Sequence, residues 1–161
     1  MFTVTKSYRD LPAAHRQPKH DGHCRWIHGH NWGFDLTLGC TELDENGFVV
    51  DVGKLKPVKS WLEHIFDHTL LINQDDPELH RWREMHDLKL VDLRVVPNCG
   101  MEALAQYVCE GINLLFAAGQ CGDGPALRGV HVVSIVCLED SKNVATYKPG
   151  DITSPTHEIE A

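Results

Sequence analysis

From Phe2 to Arg9, apolar and β-branched residues alternate with polar ones, and the pattern predicts a strand over 2–9. Trp32, Phe34, Leu36, Leu38 and Cys40 again fall at every second position, predicting a second strand over 32–40. Asp44-Glu45-Asn46-Gly47 reads as a turn, and Phe48-Val49-Val50 as a piece that continues the sheet or closes a hairpin. The period then lengthens. Leu55, Val58, Leu62, Ile65 and Phe66 share one helical face, with Pro57 tolerated in the first turn and an end at Asp67-His68-Thr69. Leu70-Leu71-Ile72 is short, apolar and buried in expectation. After a turn at Asp75-Asp76-Pro77, Glu78 to His86 reads as a charged helical piece and Leu90 to Val96 as a strand.

A helix is clear from Gly100 to Ala118. Met101, Leu104, Ala105, Val108, Ile112, Leu115 and Phe116 form its apolar face, and Gly119 suits the residue after its end. Gly122-Asp123-Gly124-Pro125 is loop. Val130 to Leu138 is a long strand, apolar on both faces, returned by a turn at Asp140-Ser141-Lys142-Asn143 through Val144 to Tyr147. The chain reads as one domain over 1–148 with a loose polar tail over 149–161. The element order indicates an α+β fold with an antiparallel sheet.

Composition narrows the function classes. The 161 residues suffice for one well-formed core, and the formal charge of −8 argues against a general binder of nucleic acid or membrane surface. The charge is uneven, however: Lys6, Arg9, Arg16, Lys19 and Arg25 crowd the first thirty positions, which suits an anionic small substrate. Met1 to Lys6 has no apolar run of the secretory type, and no stretch approaches a membrane span. The six cysteines lack CxxC spacing and lie mostly in apolar segments, reading as reduced thiols of a cytoplasmic protein.

Candidate chemistry concentrates between His15 and His30. Five histidines and Cys24 fall within these sixteen positions. Neutral imidazole is the commonest protein ligand for a transition metal. In extended chain His28 and His30 point to the same face, and Gly29 lets the backbone pass close to what they hold. His15 can supply a third nitrogen from a preceding strand or loop. Three nitrogens leave one tetrahedral position open, the arrangement of a catalytic zinc; Cys24 is either a fourth ligand or a nearby base. His20 and His23 are competing ligands in the same loop.

Elsewhere, Asp67-His68 pairs a carboxylate with an imidazole, which can fix the tautomer and raise basicity. Glu139 ends an apolar strand, where an acid either meets solvent or receives a specific donor. Glu102, early in the second helix, is a polar candidate that the helix dipole also accounts for.

Taken in order, Ala13-Ala14-His15-Arg16, Cys24-x-x-x-His28-Gly29-His30-Asn31, Asp51-Val52-Gly53, Phe66-Asp67-His68-Thr69-Leu70-Leu71 and Glu139…Ala145-Thr146-Tyr147 resemble the 6-pyruvoyl-tetrahydropterin synthase / 6-carboxy-tetrahydropterin synthase (QueD) family. The resemblance implies a tunnelling fold, with a four-stranded antiparallel sheet and two helices on one face. It implies a homo-oligomer, trimer or hexamer, with active sites between subunits. It also implies zinc on His15, His28 and His30, Cys24 as base assisted by Asp67 and His68, and a pterin held by Glu139, with Glu102 as a further substrate contact. The three residues between Cys24 and His28 resemble the carboxy branch. That branch converts 7,8-dihydroneopterin triphosphate to 6-carboxy-5,6,7,8-tetrahydropterin, acetaldehyde and triphosphate, a lyase reaction on the route to queuosine. The alternatives are a pyruvoyl synthase and a non-catalytic zinc-dependent pterin- or purine-binding protein. Cys99-Gly100-Met101-Glu102 stands where the family has Pro-Thr-x-Glu, so the family's threonine has no counterpart.

Overall fold

A computed structural model describes residues 1–122 and 128–150. Part of the expected loop at 122–125 and most of the expected tail lie outside the described residues. Six strands form one sheet: β1 (Phe2–His15), β2 (His28–Cys40), β3 (Thr69–Asn73), β4 (Leu93–Val96), β5 (His131–Leu138) and β6 (Val144–Tyr147), in the order β4-β3-β1-β2-β5-β6. Its four strands from β1 to β6 form the expected antiparallel sheet. The difference lies on the other flank of β1, where β3 and β4 add in parallel, making the sheet mixed. Parallel neighbours need a crossover, and the segment between β3 and β4 supplies it.

Three helices accompany the sheet: α1 (Lys56–Phe66), α2 (Leu79–Asp87) and α3 (Met101–Ala117). Helices α1 and α3 touch each other and the sheet. Val58, Leu62, Ile65 and Phe66 of α1, and Leu104, Ala105, Val108, Cys109, Ile112 and Phe116 of α3, are buried against the inner face of β1, β2 and β5. Each such large apolar side chain contributes about 1.5–3 kcal/mol when fully buried. Gly119, with φ 67°, ends α3 and donates its N–H to the Phe116 carbonyl, as its position predicts. Helix α2 buries no residue fully, so packing alone does not account for its position.

Strand β1 runs six residues past the expected end because of a bulge. Tyr8 pairs with Phe34 and Leu11 with Trp32, so Arg9 and Asp10 together oppose Gly33 alone. Asp10 takes φ 62°, and a Cβ on Gly33 would meet the Arg9 side chain at 2.9 Å. The extra residue inverts the phase of the strand. Before it the even positions Val4 and Tyr8 face inward; after it Leu11, Ala13 and His15 do.

Phe48-Val49-Val50 is not a strand. The Asp44 carboxylate accepts the Asn46 and Phe48 N–H groups at 2.9 and 2.8 Å, and the Asp44 N–H reaches the Phe48 carbonyl. The segment is thereby closed into a turn, and the Arg128 guanidinium takes up the Phe48 and Val49 carbonyls that a sheet would have used.

One buried ion pair anchors the crossover. The Arg16 guanidinium binds the Asp76 carboxylate through two bonds of 2.8 and 2.9 Å, and the Glu78 N–H adds a third at 2.8 Å. Burial alone would push the Asp76 carboxyl up; the Arg16 and Glu78 bonds overcome it and hold it below the usual range. Arg16→Ala leaves a buried carboxylate short of its partner and should cost about 3–5 kcal/mol in unfolding free energy. Because the folded value is depressed, the contribution is complete above pH ~4 and is lost as the pH falls through the folded value. Thermal melts of parent and variant should therefore differ most near neutral pH and converge in acid.

Candidate metal centre

The bulge and the β1–β2 register together assemble the site. His15 lies opposite His28, Ala14 opposite Gly29, and Ala13 opposite His30. Strand β2 begins at His28, so the His28-Gly29-His30 stretch is strand rather than loop, and its two imidazoles share a face. Ring centroids are 4.5 Å apart for His15 and His28, 5.1 Å for His15 and His30, and 5.0 Å for His28 and His30. One ligand nitrogen from each ring lies within 4.8 Å of the other two. Trp32, fully buried, forms the floor: its ring meets His15 edge-on at 5.0 Å and His30 at 5.5 Å.

The hydrogen bonds define which nitrogens are free. His15 Nδ1–H donates to the Cys99 carbonyl at 2.9 Å and His28 Nδ1–H to the Trp26 carbonyl at 2.8 Å, an assignment that leaves both Nε2 lone pairs unused. His15 Nε2 and His30 Nε2 are buried with no hydrogen-bond partner. Orphaned buried nitrogens are costly, and aimed at one another they fit a shared cation. Burial above all, and then His28 and His30, push the His15 pKa down to about 4 against the opposing pull of the Cys99 carbonyl. His15 is therefore neutral at physiological pH and can donate a lone pair. The three imidazoles can hold a metal ion, and an all-nitrogen set of this kind suits a first-row transition metal.

The other sequence candidates are placed unequally. Glu139, just past β5, brings Oε1 to 3.5 Å from His15 Nε2 and 3.3 Å from His30 Nε2. Cys24 sits half-buried in a 3₁₀ turn, His23–Arg25, and is not one of the three clustered ligands. Glu102 is exposed in the first turn of α3. Asp67 and His68 do pair, with Asp67 Oδ1 2.6 Å from His68 Nδ1, but the His68 side chain is 85% exposed. The Pro12 carbonyl that accepts the His68 N–H is three residues, roughly 10 Å of strand, before His15. Within one chain the pair stands apart from the imidazoles.

Sequence reasoning missed the groups that support the site. The Cys99 carbonyl and the Asn73 side chain behind it carry no motif; a lone Asn ending the buried run Thr69–Asn73 was the one signal available. The basic excess of the first thirty residues is also smaller than it reads, because Arg9, Arg16 and Lys19 pair with Asp35, Asp76 and Asp75.

The model of one protein family, described as 6-pyruvoyl tetrahydropterin synthase, matches residues 3–150. The chain belongs to this family. Among curated relatives, the 6-carboxy-5,6,7,8-tetrahydropterin synthase of Rickettsia bellii is 36% identical over 78 residues, which is 48% of this chain and 56% of that protein. The protein of the same name from Aquifex aeolicus is 27% identical over 130 residues, covering 78% of this chain and 75% of its own. The chain spans about half the length of the Rickettsia relatives it matches. Among solved structures, an uncharacterised protein of Wolinella succinogenes superposes with a TM-score of 0.74 at 22% identity, over 91% of this chain and 97% of that one. The 6-pyruvoyl tetrahydropterin synthase of Plasmodium falciparum does so with 0.59 at 18%, over 90% and 96%. The fold is the tunnelling fold that the sequence motifs imply, its sheet here carrying two parallel strands beside the antiparallel four.

Roles within the histidine-rich segment can be separated by metal content. His28→Ala should abolish stoichiometric bound metal in elemental analysis. His20→Ala and His23→Ala should retain it, since His20 Nδ1 already accepts the Gly22 N–H at 2.9 Å and His23 lies exposed in the 3₁₀ turn.

Proposed function

We propose that the protein is a zinc-dependent 6-carboxy-5,6,7,8-tetrahydropterin synthase, a lyase acting on 7,8-dihydroneopterin triphosphate and releasing acetaldehyde and triphosphate, in the service of queuosine formation. The observation that carries this reading is the convergence of three imidazoles beside the Glu139 carboxylate, in a member of this family whose curated relatives bear that name. Bound to His15, His28 and His30, zinc would supply Lewis acidity toward the hydroxyl oxygens of the substrate side chain.

The chain's own residues would do the rest. Cys24, carried by the turn between β1 and β2, would take the proton from the carbon next to those oxygens; a thiol beside a dication loses its own proton more readily. Asp67 holds one nitrogen of His68 and leaves the other to exchange a proton with solvent or substrate. The exposure of that pair fits a site completed by a neighbouring subunit, as in the homo-oligomer expected of the family. Glu139 would accept two parallel N–H bonds from the aminopyrimidine edge of the pterin, a charge-assisted contact. Glu102, at the start of α3, would lie on the substrate side of that edge.

Mass spectrometry of the products formed by zinc-loaded protein from 7,8-dihydroneopterin triphosphate tests the reading. The carboxy product with acetaldehyde supports it; a pyruvoyl product moves the protein to the other branch, and no turnover makes it a binding protein. Two variants test the roles. Cys24→Ala should keep zinc and lose turnover by ~10²-fold or more, the usual scale for a positioned acid–base group. Glu139→Gln must present an NH₂ group to a second ligand donor and should weaken binding of biopterin by about 1–3 kcal/mol, read by calorimetry, with zinc content unchanged.

A further inference from the structure

Asn73 is a polar side chain at the end of a strand whose five residues are all buried, and it is itself only 3% exposed. An amide there is tolerated only if its hydrogen-bonding groups are met. Both ends are. Asn73 Oδ1 accepts the Cys99 N–H at 2.7 Å, and Nδ2 donates to Gln17 Oε1 at 3.1 Å. The orientation of the amide follows from the contact itself, since a backbone N–H requires the oxygen.

Each of these partners leads to the site. The Cys99 carbonyl, across one Cα from the N–H that Asn73 holds, accepts His15 Nδ1–H at 2.9 Å. The Cys99 thiol is buried and is not one of the three clustered ligands. On the other arm, Gln17 Nε2 donates to Asn98 Oδ1 at 3.0 Å, which also accepts the Gly100 N–H at 2.8 Å. The Gln17 N–H in turn donates to the Cys24 carbonyl at 2.7 Å. The Asn73 side chain thus joins the end of β3 to the segment after β1 and to the lead into α3, and through Gln17 it is linked to the Cys24 turn.

We propose that Asn73 is a positioning residue for both halves of the site, holding the plane and tautomer of His15 through the Cys99 backbone and the Cys24 turn through Gln17. The inference rests on the reading of His15, His28 and His30 as metal ligands. With Gly100 in the lead to α3, no side chain at that position can brace the loop, and Asn73 does so from the neighbouring strand.

The test measures zinc dissociation constants, by competition with a chromophoric chelator, and the visible absorption of the cobalt-substituted protein. Asn73→Leu fills the space but abandons the Cys99 N–H; it should weaken zinc by about 10–100-fold, the range for a lost partner behind a metal ligand, and alter the cobalt bands. Asn73→Asp keeps the acceptor oxygen and should restore zinc affinity and cobalt spectrum, while turnover stays low because the donor to Gln17 is gone. Circular dichroism establishes folding; if the leucine variant does not fold, Asn73→Ser, too short to span to Cys99, replaces it with the same expected loss. A folded leucine or serine variant with the parent's zinc constant and cobalt spectrum overturns the proposal. So does a folded aspartate variant that loses zinc as fully as leucine. Zinc lost in His28→Ala but kept in the folded Asn73 variants removes this inference alone, whereas a parent protein that binds no zinc removes the metal reading with it.

Discussion

The site depends on the one extra residue that β1 carries at Arg9-Asp10. A strand has a period of two, so a single insertion moves every later side chain to the opposite face. Without it, Ala14 rather than His15 would face inward, and the position opposite His28 on that face would present a methyl group. Local backbone geometry supports the insertion from both sides: Asp10 accepts a positive φ, a conformation that Asp tolerates better than most residues, and Gly33 leaves room for the Arg9 side chain. Arg9 is then tied down by Asp35 and the Phe34 carbonyl. A backbone irregularity is in this way converted into the direction of one imidazole.

The surroundings of that imidazole follow from its burial. A neutral His15 with its Nδ1–H fixed on a carbonyl cannot rotate or change tautomer without losing a buried hydrogen bond, which costs about 1–3 kcal/mol. Trp32 beneath it closes the route for collapse, since its own Nε1–H donates to the Ala13 carbonyl. Three rings are therefore held apart at fixed separations by β-ladder bonds, by backbone carbonyls and by an indole floor. The Nε2 atoms of His15 and His30 and the Glu139 carboxylate face one another there without a conventional hydrogen bond.

Much of this was legible in the residues, and the remainder has identifiable causes. The alternation of β2, the face of α3 and its Gly119 stop follow from period and capping, as do the shared face of His28 and His30. The start of β2 was set too late because His28-Gly29-His30-Asn31 is polar and looks like loop; it is strand because His15 and Ala13 on β1 pair with it. Phe48-Val49-Val50 departs for the opposite reason, since Val49 and Val50 are buried there without a ladder while Phe48 is half exposed. Strands β3 and β4 are short, and their parallel pairing depends on a crossover whose anchor, Arg16 with Asp76, joins residues sixty positions apart. Asn73 and Cys99 act through a side-chain amide and a backbone carbonyl, and neither group announces itself by residue type.

The uneven distribution of burial around the site bears on how it is completed. His15, at one end of the cluster, is almost wholly enclosed, whereas Cys24 is half-buried and the turn residues Trp26 and Ile27 beside it are exposed apolar side chains. The Asp67-His68 pair is exposed as well, held in a left-handed turn by the Pro12 carbonyl rather than by packing. A positive φ at a histidine is a strained choice, and it persists only where surrounding bonds determine it. Here the Pro12 bond on one side and the buried Thr69, bonded to the Ile65 carbonyl, on the other do so. The chain thus spends local strain to hold an oriented carboxylate–imidazole pair at its surface. Such a pair, exposed in one subunit, is open to contact from outside it.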